Sequence, residues 1–441
     1  MNTPIWDFVR SYSDQKGCRL HMPGHKGIGS MEQYDITEIP GADSLYEPSG
    51  IIRDSEQNAS ALFGSHTFYT TEGSSHAIRA MLHLTALYAA ERGQKVKILA
   101  PRNAHKVFIG AAALLNLEVV WLASDTPSYL SSGVNTDTLA DTLALEQPTA
   151  LYLTSPDYLG HTEDIARIAE ICHAMDVLLL VDNAHGAYLR FLSPSRHPID
   201  LGADVCCDSA HKTLRALTGG AYLHIRHGAP DVFYNSAKMA LALYGSTSPS
   251  YLILASLDRL NAYLSSDYPR DLEKANERID ALKASLTVCG YSLYGDEPLK
   301  ITLMPKSYGY LGYELAHILA DAGIVTEFSD RDFTVLMLTP DTTQNELCHL
   351  ESVLTSLPRL KPITEAPPMP FTPVRCMRPH QAMLCPAESL PIEECLGRTL
   401  AAVTVGCPPA VPILVMGEKI DERSIESFRY YGIENLFVVK P

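Results

Sequence analysis

The sequence predicts an α/β fold, in which helices cover both faces of a mainly parallel β-sheet. The first observation is an alternation of helical and strand patterns, which begins with the helical segment "SSHAIRAMLHLTALYAAERG" and its end at Gly93. The second is that strand segments such as "TALYLTS" and "DVLLLVD" are apolar without interruption, as strands buried on both faces are. Ligands bind such sheets at the carboxyl ends of the strands, so polar residues at those ends are candidate site residues.

The first stretch of about 70 residues has no regular pattern, and after it the alternation predicts helices and strands in the following order. The first helix is followed by the strand "KVKILA", the helix "AHKVFIGAAALLN", the strand "LEVVWLA" and the helix "TDTLADTLALEQ". The strand "TALYLTS", the helix "IARIAEICHAM" and the strands "DVLLLVD", "ADVCCDS" and "GGAYLHI" complete this part. From Asp271 the pattern changes to a charged helix and then short segments from "KITLMP" to "FTVLML", which predict a smaller α+β domain.

The composition excludes several classes of partner. The 441 residues include 35 basic and 51 acidic side chains, and a net charge of −16 gives no general affinity for nucleic acid or an anionic membrane. The N-terminal segment is charged throughout, unlike a signal peptide, and no apolar run is long enough to span a bilayer. The ten cysteines show neither metal-ligand nor disulfide spacing. We therefore expect a soluble, cytoplasmic protein with reduced thiols.

Two strand ends carry the residues with the clearest chemistry. Asp182 ends "LLLVD", and Lys212 follows "ADVCCDS" within "DSAHKT". An aspartate in such a place usually caps a turn, and a lysine there could be an ordinary surface residue. Together they match the needs of pyridoxal phosphate (PLP), because a lysine can form an imine with its aldehyde and a carboxylate can keep its pyridine nitrogen protonated.

Small hydroxyl residues supply candidate phosphate contacts. Ser74 and Ser75 begin the first long helix, whose N–H groups and dipole favour an anion, although a plain N-cap explains them equally well. Ser209 and His211 lie beside Lys212. The segment "GSTSPSY" (245–251) has the same small-hydroxyl character before another helix.

Histidines at other positions are weaker candidates. His105 follows the strand "KVKILA", and its ring could stack on a flat cofactor, but a lone histidine is more often an ordinary polar residue. The segment "LHMPGHKG" contains His21 and His25 without an obvious third metal ligand. We expect no metal site.

These segments, in this order, resemble the ornithine/lysine/arginine decarboxylases, which are PLP enzymes of the aspartate-aminotransferase kind (fold type I). The resemblance runs from "TPIWDFV" and "HMPGHKG" through "RNAHK", "TSPDYLG", "DNAHG" and "DSAHKT" to "STSPSYLILASLD". The C-terminal "EECLGRTLAAVTVGCPPAVPILVMGEKI" is similar to that family's last domain. The family implies a PLP-transferase fold with a seven-stranded sheet and these parts: a segment lining the site (1–70), a large PLP-binding domain (71–270), a small α+β domain (271–360), a proline-rich linker (361–374) and a C-terminal decarboxylase-like domain (375–441).

The resemblance also implies a role for each candidate residue. Lys212 bonds to PLP, and Asp182 pairs with the pyridine nitrogen. Ala184 packs beneath the ring and His105 stacks over it, while His185 lies near the substrate and, like Lys212, is a candidate proton donor. The implied phosphate contacts are Ser74, Ser75, Ser209, His211 and, from the other subunit, Thr247 with Ser246 beside it. This last contact implies a homodimer with active sites at its interface.

The implied reaction is PLP-dependent decarboxylation of a basic L-amino acid (lysine, arginine or ornithine) to the amine and CO2. An aminotransferase or a lyase remains an alternative, because a fold does not determine a reaction. An aminotransferase needs an arginine for the α-carboxylate, and Arg375, Arg378 and Arg398 are candidates. A third possibility, a binding protein without catalysis, conflicts with the presence of both Lys212 and Asp182.

Two segments depart from the family pattern. His76 and Arg79 occupy a helix start where smaller or neutral residues are expected, and "PPAVPILVMGE" lacks the glycine and second proline of "PPGIP…PGE". The chain resembles the short members of the family, which lack an N-terminal receiver-like domain, and we expect no large decamer. The sequence offers four acidic residues for the distal cation of a substrate, none of them assigned: Asp35, Glu38, Asp43 and Glu47.

Overall fold

A seven-stranded sheet is the largest sheet of the computed structural model, which describes residues 1–15, 17–122, 126, 128–403 and 410–441. Its strands are β1 (His66–Thr70), β2 (Lys97–Ala100), β3 (Glu118–Trp121), β4 (Ala150–Thr154), β5 (Leu178–Asp182), β6 (Val205–Asp208) and β7 (Ala221–Ile225). They lie in the order β1-β7-β6-β5-β4-β2-β3. β5 is parallel to β6 and β2 to β3, whereas β7 is antiparallel to both β1 and β6. The predicted α/β class with a seven-stranded sheet is confirmed.

Helices precede, separate and follow these strands. They are α1 (Pro4–Asp14), α2 (Ile51–Phe63), α3 (Gly73–Glu91), α4 (Lys106–Leu114), α5 (Thr136–Glu146), α6 (Ile165–Ala174), α7 (Ala210–Thr213), α8 (Asp231–Tyr244), α9 (Tyr251–Leu264), α10 (Tyr268–Val288), α11 (Gly312–Asp321), α12 (Gln344–Ser356), α13 (Pro379–Leu384) and α14 (Glu422–Tyr430). Among the described residues, no helix combines the length and the apolar character that crossing a membrane requires.

Two smaller antiparallel sheets follow α10. The first has the order β10-β11-β9-β8, with β8 (Leu293–Tyr294), β9 (Lys300–Leu303), β10 (Phe328–Ser329) and β11 (Thr334–Met337). The second pairs β12 (Ala387–Pro391) with β13 (Asn435–Val439). Residues 359–374 contain no helix or strand.

The described chain divides into two compact units. The first comprises residues 1–96, 140–152 and 164–271, and the second comprises residues 97–139, 153–163 and 272–441. The finer division into five parts stays a prediction.

The first 70 residues are more regular than the expected irregular stretch, since they contain α1, α2 and β1. The apolar residues of α1 and α2 do recur at helical spacing, as Ile5, Phe8 and Val9 show in α1, so the local pattern there was overlooked. The start of α1 is stabilised from far along the chain: the backbone N–H groups of Ile5 and Trp6 both donate to Asp258 Oδ2 at 3.0 Å. β1, with the sequence HTFYT, lacks an apolar run because three of its five residues are histidine or threonine.

The first unit buries the elements that carry the predicted residues. All five residues of β5 and all four of β6 are buried, as their unbroken apolar sequences predict. α3 packs on β6, β7 and α8. The unexpected His76 is part of this packing: its ring nitrogens lie 2.9 Å from Thr70 Oγ1 and 2.7 Å from the Leu241 carbonyl oxygen. Burial lowers the pKa of His76, so a neutral imidazole links α3 to its neighbours.

In the second unit, the C-terminal segment is held by a buried ion pair. Glu418 ends "PPAVPILVMGE", and its two oxygens lie 2.8 and 2.9 Å from the Arg102 guanidinium nitrogens. The Glu418 carboxylate also accepts from the backbone N–H of Val415 at 2.8 Å. A bidentate pair of this kind fixes orientation as well as distance. Pro408 and Pro409 of the departing motif lie outside the described residues.

Candidate active site

Lys212 lies on α7, a single helical turn that begins two residues after β6. Its Nζ is 2.9 Å from Nε2 of His185, although the two residues are 27 positions apart in the chain. An imidazole at this distance can accept a proton from an ammonium group or return one to an amine. The structure therefore brings together two of the predicted residues in an arrangement suited to proton transfer.

Asp182 is the last residue of β5, and its side chain is held from three sides. Tyr152 on β4 donates its hydroxyl to Asp182 Oδ2 at 3.1 Å, and the backbone N–H of Ala184 donates to Oδ1 at 3.2 Å. The Cys207 thiol on β6 also donates to Oδ1, at 3.6 Å, and burial keeps the pKa of this thiol well above its usual range. Asp182 is 2% exposed, so its carboxylate has a fixed direction in a dry environment.

The start of α3 and the segment before Lys212 meet at two serines. Ser209 Oγ donates to Ser74 Oγ at 2.8 Å. Gly73 has φ of +73°, and a Cβ there would point toward the His211 ring and lie 3.8 Å from its Cε1 atom. Burial lowers the pKa of His211, whose Nδ1 lies 3.0 Å from the Gly220 carbonyl oxygen. Two hydroxyl groups therefore lie together at the N-terminus of a long helix, which is the chemistry that an anion prefers.

Of the other predicted residues, some lie beside Lys212 and Asp182 in the first unit and one belongs to the second unit. Ser75 is half-buried in the first turn of α3, and Ala184 is buried beside Asp182. Ser246 and Thr247 are exposed between α8 and α9, where the Ser246 N–H donates to Glu72 Oε1 at 2.7 Å. His105 belongs to the second unit and caps α4, with Nδ1 accepting from the Val107 N–H at 3.2 Å.

Sequence reasoning missed a buried network around Asp208, the last residue of β6. Nε2 of His197 and Nε2 of His224 both lie 3.1 Å from Asp208 Oδ2, and all three side chains are 0% exposed. Asn183 donates its side-chain N–H to Asp208 Oδ1 at 2.6 Å. Asp208 thereby connects the residue after Asp182 to the segment that carries Lys212. The only signal for it in the sequence was its position at a strand end.

His197, Asp208 and His224 could also bind a metal ion, because one ligand atom from each lies within 4.8 Å of the other two. The hydrogen bonds of these side chains indicate instead that protons link the two histidines to Asp208, without a metal ion. His197 Nδ1 accepts from the Ile199 N–H at 3.4 Å, so the proton of a neutral ring is on Nε2, the atom that a metal would need. Burial raises the pKa of Asp208, but the charges and hydrogen bonds of both histidines outweigh it and hold that pKa well below its usual range.

We expect Asp208→Asn to lower the free energy of unfolding by about 3 kcal/mol at neutral pH, because it removes the charge from a buried, fully paired group. A carboxyl group with a depressed pKa stabilises the fold above its unfolded pKa of about 4, and this contribution disappears as the pH falls toward the folded value. Urea unfolding at neutral pH measures the difference. Asp280→Asn, an exposed change on α10, is the control, and equal stabilities of the two variants would contradict the prediction.

The residues of the first unit fit PLP. They include an amine at Lys212, a buried carboxylate at Asp182 that can face a protonated pyridine nitrogen, and an anion-binding space at the start of α3. The structural observation that supports a phosphate at this position is the approach of the Ser209 and Ser74 hydroxyl groups, 2.8 Å apart, at the start of α3.

Comparisons with known proteins agree with this assignment. Residues 3–286 match the family described as "Orn/Lys/Arg decarboxylase, major domain". An arginine decarboxylase of Halalkalibacterium halodurans is 29% identical over 97% of this chain and 93% of its own length. An uncharacterized Bacillus subtilis protein, YaaO, is 31% identical over the same shares of the two chains.

A solved structure supports the fold. The Francisella novicida lysine decarboxylase LdcF superimposes with a TM-score of 0.80 at 18% identity, over 99% of this chain and 81% of that protein. At this identity the likeness concerns the fold, which is that of the fold type I PLP enzymes.

Proposed function

The chain belongs to the Orn/Lys/Arg decarboxylase family and is a PLP-dependent amino-acid decarboxylase; from this premise we propose that its substrate is L-arginine, which it converts to agmatine and CO2. The observation that carries the choice of arginine is the match to a curated arginine decarboxylase over nearly the whole of both chains. We also propose that the protein acts in the cytoplasm.

In this proposal the first unit holds PLP by three groups of residues. Lys212 would bond to its aldehyde carbon with loss of water, and Asp182 would keep a proton on its ring nitrogen. Ala184 packs against the ring, while the stacking role of His105 stays a prediction. The residues that hold the phosphate are Ser74, Ser75, Ser209 and His211.

PLP, when bound, accepts the electron pair that the departing CO2 leaves behind. The protein residues control charge and protons around this event. Tyr152 and the Ala184 N–H fix the direction of the Asp182 carboxylate, so its charge would stabilise a protonated ring nitrogen without reorganisation. Lys212 and His185, 2.9 Å apart, then deliver the proton that replaces the carboxylate on the α-carbon.

We further propose a homodimer in which Thr247, with Ser246 beside it, contacts the phosphate of the partner site. Both residues are exposed on the loop between α8 and α9, and the Ser246 N–H already bonds Glu72, the residue before Gly73. Sedimentation of the PLP-loaded protein should give twice the mass of one chain, and a monomer that retains full activity would contradict this part of the proposal.

Asp43 is excluded as the group that receives the guanidinium of arginine. Its carboxylate accepts from the backbone N–H groups of Ser49, Gly50 and Ile52 at 2.7–3.1 Å, so it forms the turn that leads into α2. The three other acidic residues named in this segment, Asp35, Glu38 and Glu47, stay candidates.

The substrate proposal is tested by CO2 release from L-arginine, L-lysine and L-ornithine. We expect kcat/KM for arginine to exceed the other two by at least about 100-fold, because a site built for a guanidinium leaves polar groups unpaired with the others. The Lys212→Ala protein is the control for release that does not depend on the site. Preference for lysine or ornithine would contradict arginine as the substrate.

A further inference from the structure

The second unit contains a cavity of about 490 Å³ that none of the candidate active-site residues lines. Most of its wall is aromatic or aliphatic, including Tyr129, Tyr313, Phe328, Ile413, Tyr430 and Tyr431. A cavity of this size and character can enclose a small organic molecule, and its few polar groups decide which one.

Two arginines border the cavity, but each is paired with a carboxylate. Arg331 Nη2 lies 2.6 Å from Glu365 Oε2, and Arg429 Nη2 lies 3.6 Å from Glu393 Oε1. Neither pair leaves an uncompensated positive charge to attract an anion, although the exposed pair of Arg429 is the weaker of the two.

Asp330 is the acidic residue of the cavity, and it has no cationic partner among the described residues. Its Oδ1 accepts from the backbone N–H groups of Asp332 and Phe333 at 2.7 Å each, and its Oδ2 accepts no hydrogen bond in that part of the chain. The nearby Lys306 ammonium is paired with Asp332 instead, at 2.6 Å. Burial raises the pKa of Asp330 to about 6, although the two backbone hydrogen bonds act in the opposite direction.

We propose that this cavity binds a small organic cation, an ammonium or guanidinium group on a short apolar stem. Asp330 supplies the negative charge, and the tyrosine and phenylalanine side chains surround the stem and attract the cation. The proposal does not rest on the proposed function, because no candidate active-site residue takes part. Such a cation could be an amine or an amino acid with a cationic side chain, which differ in the α-carboxylate.

The test uses isothermal titration of the full PLP-loaded protein with n-butylguanidinium, which has no amine that could react with PLP. At about pH 7.5, above the pKa of Asp330, we expect one site per chain whose affinity depends on Asp330. Asp330→Asn should weaken binding at least about 10-fold because it removes the counter-charge. Tyr313→Ala, which shortens a partly exposed wall residue, should weaken it several-fold, whereas Asp280→Asn and Lys212→Ala should not change it.

The pH dependence gives a second readout. Below about pH 6 the Asp330 carboxyl group gains a proton, so binding to the unmodified protein should weaken as the pH falls through that value. The other charged groups near this carboxyl, Lys306, Arg331 and Asp332, are paired. The Asp330→Asn protein should lack this dependence.

Three results would overturn the proposal. The first is unchanged binding to a folded Asp330→Asn protein, with folding checked by its melting temperature. The second is loss of binding in Lys212→Ala alone, which would place the cation at the candidate active site. The third is competition by inorganic phosphate, which would assign the cavity to an anion. Displacement by agmatine but not L-arginine would identify the ligand as an amine, and displacement by both would identify the guanidinium group as sufficient.

Discussion

The Lys212→Ala protein is expected to release CO2 from arginine at least about 10³-fold more slowly than the unmodified protein. The change removes both the covalent attachment of PLP and a candidate proton donor, and each of these contributes to the rate by orders of magnitude. The visible absorbance band of PLP bound to a lysine should disappear from the purified variant. CO2 release is measured at saturating arginine with PLP added, so that weak cofactor binding alone does not explain the loss.

Lys274→Ala provides the matched control for this prediction. Lys274 is exposed on α10, and the same substitution there should leave both the absorbance band and kcat within about twofold of the unmodified protein. A Lys212→Ala protein that keeps the band, or more than a tenth of the rate, would show that another lysine holds PLP.

The second large effect is expected from Asp182→Asn, which should lower kcat by about 10²–10³-fold. Asparagine has nearly the same shape: its one side-chain oxygen can still accept from the Ala184 N–H, and its amide N–H can donate to the Tyr152 hydroxyl oxygen. It lacks the negative charge that holds a proton on the ring nitrogen, and this charge matters most when electrons move into the ring. KM for arginine should change little, because the lost interaction acts in the transition state.

Steady-state kinetics of the folded, PLP-saturated variant test this separation of kcat from KM. Asp280→Asn, the same chemical change on the surface, should leave both constants unaltered. A loss confined to KM would instead assign Asp182 to substrate binding.

The principal residues could be found from the sequence because their signals are local. Asp182 and Lys212 each follow an apolar strand, and the edge of a parallel sheet where strands end is where ligands bind. The unbroken apolar character of β4, β5 and β6 likewise predicts burial on both faces, since alternation would appear if one face met water. Family motifs then assigned roles to residues that pattern alone could not distinguish.

Contacts between distant residues could not be found in this way. Tyr152 and Cys207 look like ordinary core residues in the sequence, yet both donate to Asp182. A side chain's hydrogen-bond partner depends on which strand lies beside it, and strand order is a property of the folded sheet. The same reason explains α1, whose start is bonded to Asp258 from 253 positions away.

The amino-acid sequence alone was thus sufficient for the α/β class, the strand ends that carry Asp182 and Lys212, and the cofactor that they suit, because hydrophobic period and residue chemistry are local properties. Tertiary structure decided the 2.9 Å approach of Lys212 to His185, the closed network around Asp208 and, within the part of the chain that the structure describes, the lack of a counter-ion for Asp330. Distance, burial and pairing of charges arise only when separate segments pack together.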